Sequence, residues 1–342
     1  MQRAVSLVQD SRHVLLSGHL RADGDCIGAQ SVLYHALREL GKPVEMVLPD
    51  RPDSRYEFIR EHTPWRIWDG SLPSAADLLI VCDCSSLGRL GAMGEAVAEA
   101  GLRRIAVDHH VLPPDHGWDA LVHDEAAAAS GLLALRFAAA LGAKELPPAA
   151  YEAAFVALMT DTGWLKYSNS TPEAWRAAAD LVAHGVDTER VYARVYQRAE
   201  PGRPAGIRAA LRNLEYHVGH RVALSWVSRA QLAEVGGSLE DSDEVLDILR
   251  SVEPVEGVAV VSERSDGRAK ASLRSKHLLD VERVARALGG GGHVRAAGVT
   301  FPPEVGLTEA VDRVRAAMVA AMEELLAASA GEGAGSGRDV SR

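Results

Sequence analysis

The stretch Arg104-Ile105-Ala106-Val107-Asp108-His109-His110 constrains this chain more than any other. An apolar run that reads as a buried strand ends in one carboxylate and two adjacent imidazoles. Such groups are costly to bury without partners. In open α/β sheets, ligands sit beyond the carboxyl ends of the strands. The pattern therefore predicts a central strand whose end faces a site. Leu78-Leu79-Ile80-Val81-Cys82 repeats it, with Asp83 at its close. A continuous apolar run of that kind marks a parallel strand covered on both faces. Val14 to Gly18 leads into His19, Asp23 and Asp25, and a helical stretch through Leu158 leads into Asp161. These four segments are expected to converge on one centre.

The residue types narrow the chemistry. Carboxylate and imidazole donors suit manganese, or magnesium with less nitrogen character, better than a thiolate-selective metal. Two cations about 3.5–4 Å apart can clamp both oxygens of a phosphoryl displacement and lower the pKa of a water between them. Simpler accounts stand beside this one. Asp23 or Asp25 is a fitting helix N-cap, Asp83 could cap the loop Ser85–Gly88, and Asp161 could be a plain loop acid. Gly24 is expected to let the backbone turn tightly between two carboxylates. Side chains at 108, 109 and 110 diverge, so at most two should reach one metal pair.

With 342 residues, the chain has room for two domains. The formal charge of -10 argues against coating nucleic acid through a bulk positive field. An anionic substrate must then be held by metals and a local basic patch. Three cysteines suit a reducing cytoplasm. Strand alternation predicts that Cys82 and Cys84 share the face opposite Asp83, buried rather than metal-bound. No apolar run reaches the roughly 18 residues of a membrane span, and Met1–Asp10 lacks a signal-peptide pattern.

Strands are expected at 14–18, 44–48, 77–83, 104–107 and 118–122, and helices at 3–9, 26–40, 92–100, 130–141, 147–158 and 172–183. Residues 49–68 read as irregular, with a short helix near Tyr56–Arg60. Residues 1–185 form the first expected domain and 186–213 a helical linker. Residues 214–328 form a smaller α/β domain with strand pairs around Gly219-His220 and Ser265-Asp266-Gly267. Residues 329–342 form a Gly- and Ser-rich tail expected to be disordered. In the second domain, Gly289 to Gly292 precede His293, and Arg264, Arg268, Lys270, Arg274 and Lys276 form a basic run. Consecutive glycines let backbone N–H groups approach a phosphate, and an arginine can grip one bidentately. A flexible loop and a solvated strand face are the plainer alternatives. Trp118, Trp164 and Tyr167 are candidates for base stacking or for the core.

Val107-Asp108-His109-His110 resembles the signature of the DHH phosphoesterases. His19-x-x-x-Asp23-x-Asp25, Asp83 and Asp161 resemble the family's other motifs, in its order, and Gly290-Gly291-Gly292-His293 with Ala296-Ala297-Gly298 resembles its associated C-terminal domain. The resemblance spans roughly residues 5–325. It implies an α/β fold, with an N-terminal doubly wound, mostly parallel sheet and a smaller C-terminal α/β domain across a cleft. It also implies two divalent cations, Mn2+ preferred and Mg2+ the alternative. One ion would take His19, Asp23 and Asp83, and the other Asp25, Asp83, His109 and Asp161. His110 would face the scissile phosphate as a catalytic group, and Asp108 would orient a ligand histidine. Arg274, Ser275, Gly291, Gly292 and His293 would hold the substrate. The sequence departs from the family at Gly28-Ala29-Gln30 and at Trp164-Leu165-Lys166-Tyr167, and neither change removes a ligand.

The compact length is most similar to the branch of oligoribonucleases that also act on 3′-phosphoadenosine 5′-phosphate. The expected activity is metal-dependent hydrolysis of very short RNA, with short DNA a variant, to mononucleotides, together with that phosphatase reaction. A cytoplasmic protein without a membrane partner, compatible with a homodimer, is expected. The alternatives are a RecJ-like single-strand exonuclease, a phosphodiesterase acting on linear dinucleotides, and a non-catalytic nucleotide sensor.

Overall fold

The computed structural model describes residues 1–238 and 243–335. The chain divides into two compact units, Met1–Arg198 and Ala199–Arg342. The first contains α1 (Gln2–Asp10), β1 (Val14–Gly18), α2 (Gly24–Glu39), β2 (Val44–Leu48), β3 (Trp65–Ile67), β4 (Leu78–Cys82), α3 (Ala92–Ala100), β5 (Arg103–Asp108), β6 (Ala120–His123), α4 (Ser130–Leu141), α5 (Pro148–Asp161), α6 (Pro172–Ala183) and α7 (Thr188–Tyr196). Its sheet runs β3-β2-β1-β4-β5-β6 and every pairing is parallel. The order reverses between β1 and β4, which is where a doubly wound sheet opens for ligands.

Strand side chains alternate strictly between two cores. Val14, Leu16, Leu78, Ile80, Ile105 and Val107 pack with α2, α4 and α5 on one face. Leu15, Leu79, Val81 and Ala106 pack with Met93 and Val97 of α3 on the other. Both faces are covered, so the strands can be apolar throughout. Each fully buried aliphatic side chain contributes about 1.5–3 kcal/mol to holding the layers together.

Two expectations need correction here. The short helix expected near Tyr56–Arg60 is the 3-10 helix Ser54–Glu61, but the rest of 49–68 is not all irregular: Trp65–Ile67 is an edge strand paired with β2. Three residues are too few to show a period. Cys82 and Cys84 do not share a face. Cys82 lies in the α2 core and Cys84 in the α3 core, because Asp83 between them has φ 55° and the alternation ends with the strand. Burial holds the Cys82 and Cys26 thiols well above their ordinary pKa, so they are poor thiolate donors. Trp118 is 7% exposed within the α3 core, out of reach of a base.

The second unit contains α8 (Arg203–Leu211), β7 (Glu215–His217), β8 (Val222–Val227), α9 (Arg229–Glu234), α10 (Asp243–Arg250), β9 (Gly257–Glu263), β10 (Ala269–Ser275), α11 (Val281–Ala287), β11 (Gly291–His293), β12 (Ala296–Thr300) and α12 (Leu307–Gly335). Its sheet runs β11-β12-β10-β9-β8-β7, antiparallel except for β8 with β9. α11 and α12 cover one face, and α8 and α10 cover the other. Of the expected disordered tail, residues 336–342 lie outside the described residues. No helix among the described residues is long and apolar enough to cross a membrane.

The glycine run is a loop only in its first half, at Gly289 and Gly290. Gly291–His293 is an edge strand on β12. Gly292 has φ 147°, and a Cβ there would lie 2.6 Å from the Ala296 carbonyl oxygen. Close backbone approach, more than flexibility, is what requires glycine at this position.

Candidate metal centre

Every acidic segment singled out in the first unit ends at the carboxyl edge of the parallel sheet. His19 follows β1, Asp83 follows β4, and Asp108 closes β5 ahead of His109 and His110. Asp23 is the N-cap of α2, its carboxylate accepting from the Asp25 and Cys26 N–H groups at 3.1 Å. Asp25 lies in the first turn of α2, not on the preceding loop. Asp161 is the last residue of α5.

Gly24 brings the two helix ends together, and this differs from its expected role as a tight turn. A Cβ at Gly24 would lie 2.4 Å from the Thr160 hydroxyl. The absent side chain lets the start of α2 approach the end of α5, which places Asp25 beside Asp161.

The side chains gather into overlapping triads whose donor atoms lie within 4.8 Å of one another: His19, Asp23 and Asp83; Asp25, His109 and Asp161; and Asp83, His109 and His110. Asp83 links them. Its Oδ2 is 3.4 Å from His19 Nε2, and its Oδ1 is 3.7 Å from His109 Nε2 and 3.3 Å from His110 Nδ1. His109 Nε2 also lies 3.7 Å from Asp25 Oδ2 and 3.8 Å from Asp161 Oδ2. The positive φ of Asp83 turns its carboxylate into this position. Sparsely populated backbone of that kind collects at functional sites.

The backbone orients both histidines. His19 Nδ1 is 2.8 Å from the Leu20 carbonyl oxygen, and His109 Nδ1 is 3.0 Å from that of Ala127. In the neutral ring a nitrogen facing a carbonyl carries the proton, which leaves each Nε2 as the nitrogen that can offer a lone pair to a cation. His109 Nε2 is buried and has no hydrogen-bond partner among the described residues. A lone pair aimed at carboxylate oxygens is repulsive unless a cation lies between them. That orphaned nitrogen and the hard oxygen set around it fit divalent cations.

Electrostatics agree. Asp25 is 1% exposed, and its carboxyl is held well above its usual pKa, first by burial and then by Asp83 and Asp161. Burial is also the first cause that pushes Asp161 up to about 6. Burial works against ionised Asp83, yet bonds to His110 and His19 outweigh it and bring its pKa down. Without cations the cluster must hold protons to relieve its own charge. Metal ions would displace them.

Other groups brace the site. The Ser130 and Gly131 N–H groups, at the N-terminus of α4, donate to Asp25 Oδ2 and Oδ1 at 2.7 and 2.8 Å. Ser130 Oγ donates to Asp83 Oδ1 at 3.2 Å, and Asn169 Nδ2 donates to Asp161 Oδ2 at 2.9 Å. Sequence reasoning missed Ser130 and Asn169. Ser130 carried the weak signal of a helix start, and Asn169 carried none. Asp108 is fully buried. Of the two histidines that follow it, Asp108 bonds His110, a member of the triad with Asp83 and His109. Its Oδ1 is 2.8 Å from His110 Nδ1 and also accepts from the His110 N–H.

A model of the DHH family N-terminal domain matches residues 13–185, the stretch that holds all of these groups. The chain belongs to the DHH family. The DHHA1 domain model matches residues 222–324 of the second unit. The DHH chain is 30% identical over 91% of its length to the bifunctional oligoribonuclease and PAP phosphatase NrnA of Thermus thermophilus, covering 90% of that protein. It is 22% identical to the NrnA of Bacillus subtilis, over 84% of this chain and 89% of the relative. Among solved structures, an exopolyphosphatase-related protein from Bacteroides fragilis matches with a TM-score of 0.84 and 23% identity, over 93% of this chain and 96% of that one. An exonuclease RecJ bound to manganese matches with a TM-score of 0.52 and 17% identity, over 92% of each chain. This DHH protein is a phosphoester hydrolase.

In the DHHA1 unit, Arg274 and His293 lie in one row across three strands, because Arg274 pairs with Ala296 and Ala296 with His293. Directly paired residues share a sheet face, and small Ala296 stands between the two longer side chains. Arg274 is half-buried, with Nη1 donating to the Leu273 carbonyl at 3.0 Å. Gly291, Gly292 and His293 are exposed. Ser275 is 2% exposed, and its hydroxyl has no partner among the described residues.

Proposed function

We propose that this DHH protein hydrolyses very short RNA to mononucleotides and removes a phosphate from 3′-phosphoadenosine 5′-phosphate. The observation that carries the reading is Asp83, one carboxylate shared between two histidine–aspartate triads. A pair of cations requires such a bridge. The NrnA relatives, named as oligoribonucleases and PAP phosphatases, supply the substrate class.

His19, Asp23 and Asp83 would hold one cation, and Asp25, Asp83, His109 and Asp161 the other, with manganese best suited to this mixed oxygen and imidazole set. When bound, the ions neutralise phosphate charge and activate water. The protein's own groups do the rest. His110 uses Nδ1 toward Asp108 and Asp83, which leaves Nε2 of a 42% exposed side chain for the substrate. The bond to Asp108, then that to Asp83, pushes its pKa up to about 10. An imidazolium there can hydrogen-bond the phosphate and pass a proton to the leaving oxygen. The α4 N-terminus holds Asp25 in place with two N–H groups. Arg274 and His293, with Ser275, Gly291 and Gly292, would hold the substrate's phosphate or terminal nucleotide.

The test is manganese-dependent hydrolysis of a labelled RNA series from dinucleotide to about 24 nucleotides, with 3′-phosphoadenosine 5′-phosphate alongside. The Asp108→Ala/His109→Ala protein is the blank. Rapid turnover of the shortest RNAs, with phosphate release from the bisphosphate, is the expected result. A preference for the longest RNAs would replace this reading with a processive exonuclease. Tight nucleotide binding without turnover would replace it with a sensor.

A further inference from the structure

The carboxyl edge of the parallel sheet holds a second feature beside the metal-binding groups. β1 and β2 are hydrogen-bonded neighbours, Val14 opposite Val44, so the turns that leave them stand side by side. The Arg21 N–H donates to Asp50 Oδ1 at 2.8 Å and ties the two turns together. A cavity of ≈ 380 Å3 opens there, with Arg21, Asp23, Arg51, Asp53, Arg55 and Tyr56 in its lining. Three arginines thus line one cavity of a chain whose net charge is -10.

The carboxylates in the lining have partners of their own, and only Arg55 of the three arginines is paired by one of them. Asp23 caps α2 and belongs to the His19–Asp83 triad. Asp53 caps the 3-10 helix through the Arg55 N–H and pairs with the Arg55 guanidinium at 2.9 Å. Among the described residues, the Arg21 and Arg51 guanidinium groups form no hydrogen bond or ion pair. Arg21 is also held at φ 57°, a backbone region uncommon for residues other than glycine. Like charges gathered at one place repel unless an anion joins them, and the planar guanidinium fork matches phosphate oxygens.

We propose that this cavity is a phosphate subsite that holds the substrate's second, uncleaved phosphate. Asp23 lines the cavity and also belongs to the metal-binding cluster. The phosphate in the cavity and the phosphate at the cluster are therefore neighbours, as they are across a single nucleoside. The inference rests on the proposed function for its substrate class: a nucleoside carrying phosphate on both sides, whether a bisphosphate or the end of a short oligonucleotide. It gives the enzyme a way to tell substrate from product. A mononucleotide product keeps the uncleaved phosphate but no longer carries one at the cluster, so it is held at one end only and leaves more readily.

The experiment compares adenosine 3′,5′-bisphosphate with adenosine 5′-monophosphate by isothermal titration calorimetry. Calcium replaces manganese to hold turnover off. Wild type and Arg21→Ala/Arg51→Ala are compared, with calcium affinity and melting temperature measured for both. Wild type should prefer the bisphosphate by about tenfold or more, and the variant should lose most of that preference with calcium affinity unchanged. An equal preference in both proteins overturns the subsite, as does a wild type without preference. A loss that tracks weakened calcium binding also overturns it, since the arginines would then be acting through Asp23. If the wild type shows an arginine-dependent preference but hydrolyses neither RNA nor bisphosphate, the hydrolytic reading fails and the subsite stands.

Discussion

The two units each contain a six-stranded sheet, and they place chemistry on it in opposite ways. In Met1–Arg198 all strands are parallel, and the candidate ligands crowd the one edge where every strand ends. Asp25, Asp83 and Asp108 there are at most 2% exposed. In Ala199–Arg342 the pairing is mostly antiparallel, and the candidate substrate groups lie across strand faces at an edge, with Gly291, Gly292 and His293 exposed. A parallel sheet can bring four chain segments to one point, and the price is a cluster of ionisable groups out of water. An antiparallel edge assembles fewer groups and keeps them solvated. The first arrangement suits cations, which need many ligands. The second suits a substrate that must come and go.

The contrast can be broken by substitution. The largest effect is expected from Asp83→Asn. Asparagine tolerates the left-handed backbone at φ 55°, so folding should survive while the shared ligand is lost. Manganese binding should fail, and kcat/KM should fall by about 10^3 or more, several kcal/mol of lost stabilisation. Near-normal activity would remove Asp83 from the centre. Next comes His110→Ala, with kcat expected to drop by roughly 10^2–10^4 at unchanged metal affinity. A parallel loss of metal would make His110 a ligand instead, as its place in a triad with Asp83 and His109 allows.

In the second unit, Arg274→Ala should raise KM for short RNA by about tenfold and leave kcat within about threefold, since a bidentate arginine acts in binding. A fall in kcat alone would contradict the division drawn between the two sheets.

The smallest effect concerns pH. Asp161 is pushed up to about 6 from the ordinary 3.8, and Asp25 moves in the same direction. The folded, metal-free protein thus keeps protons that the unfolded chain releases. The stability these groups contribute is present below the unfolded value and is lost as pH rises through the folded one. Manganese replaces those protons. The rise in Tm on adding manganese should therefore be greater at about pH 7.5 than at about pH 5, by a few degrees. An increment that does not change with pH would mean that these carboxyls are not being displaced. In the second unit, Arg274→Ala should leave this pH dependence unaltered.

How much of this could be read beforehand varied with the kind of signal. The order of acidic segments after apolar runs was plain at Asp83 and at Asp108-His109-His110, because a carboxylate at the end of a buried strand has few structural reasons to be there. The bracing of the site was not. Asp25 is held by the Ser130 and Gly131 N–H groups, and His19 and His109 are aimed by the Leu20 and Ala127 carbonyls. Backbone groups belong to every residue and leave no mark in a sequence. Gly24 was misread for a related reason. Its importance lies in Thr160, which is distant in the chain, and only helix packing makes the two neighbours. The glycines at 291 and 292 suggested a loop and form a strand, since a close approach to β12 and a flexible turn demand the same residue.

The sequence by itself determined the parallel sheet, the set of hard donor side chains and the presence of a second α/β unit. Each rests on side-chain type and period, which local rules read directly. The tertiary structure alone decided that one aspartate, turned by a left-handed backbone, links the triads. It decided that Cys82 and Cys84 part to opposite cores, and that Arg21 and Arg51 from neighbouring turns line one cavity with Arg55 of the 3-10 helix. Those outcomes depend on where a strand ends and which strands lie side by side, and long-range packing sets both.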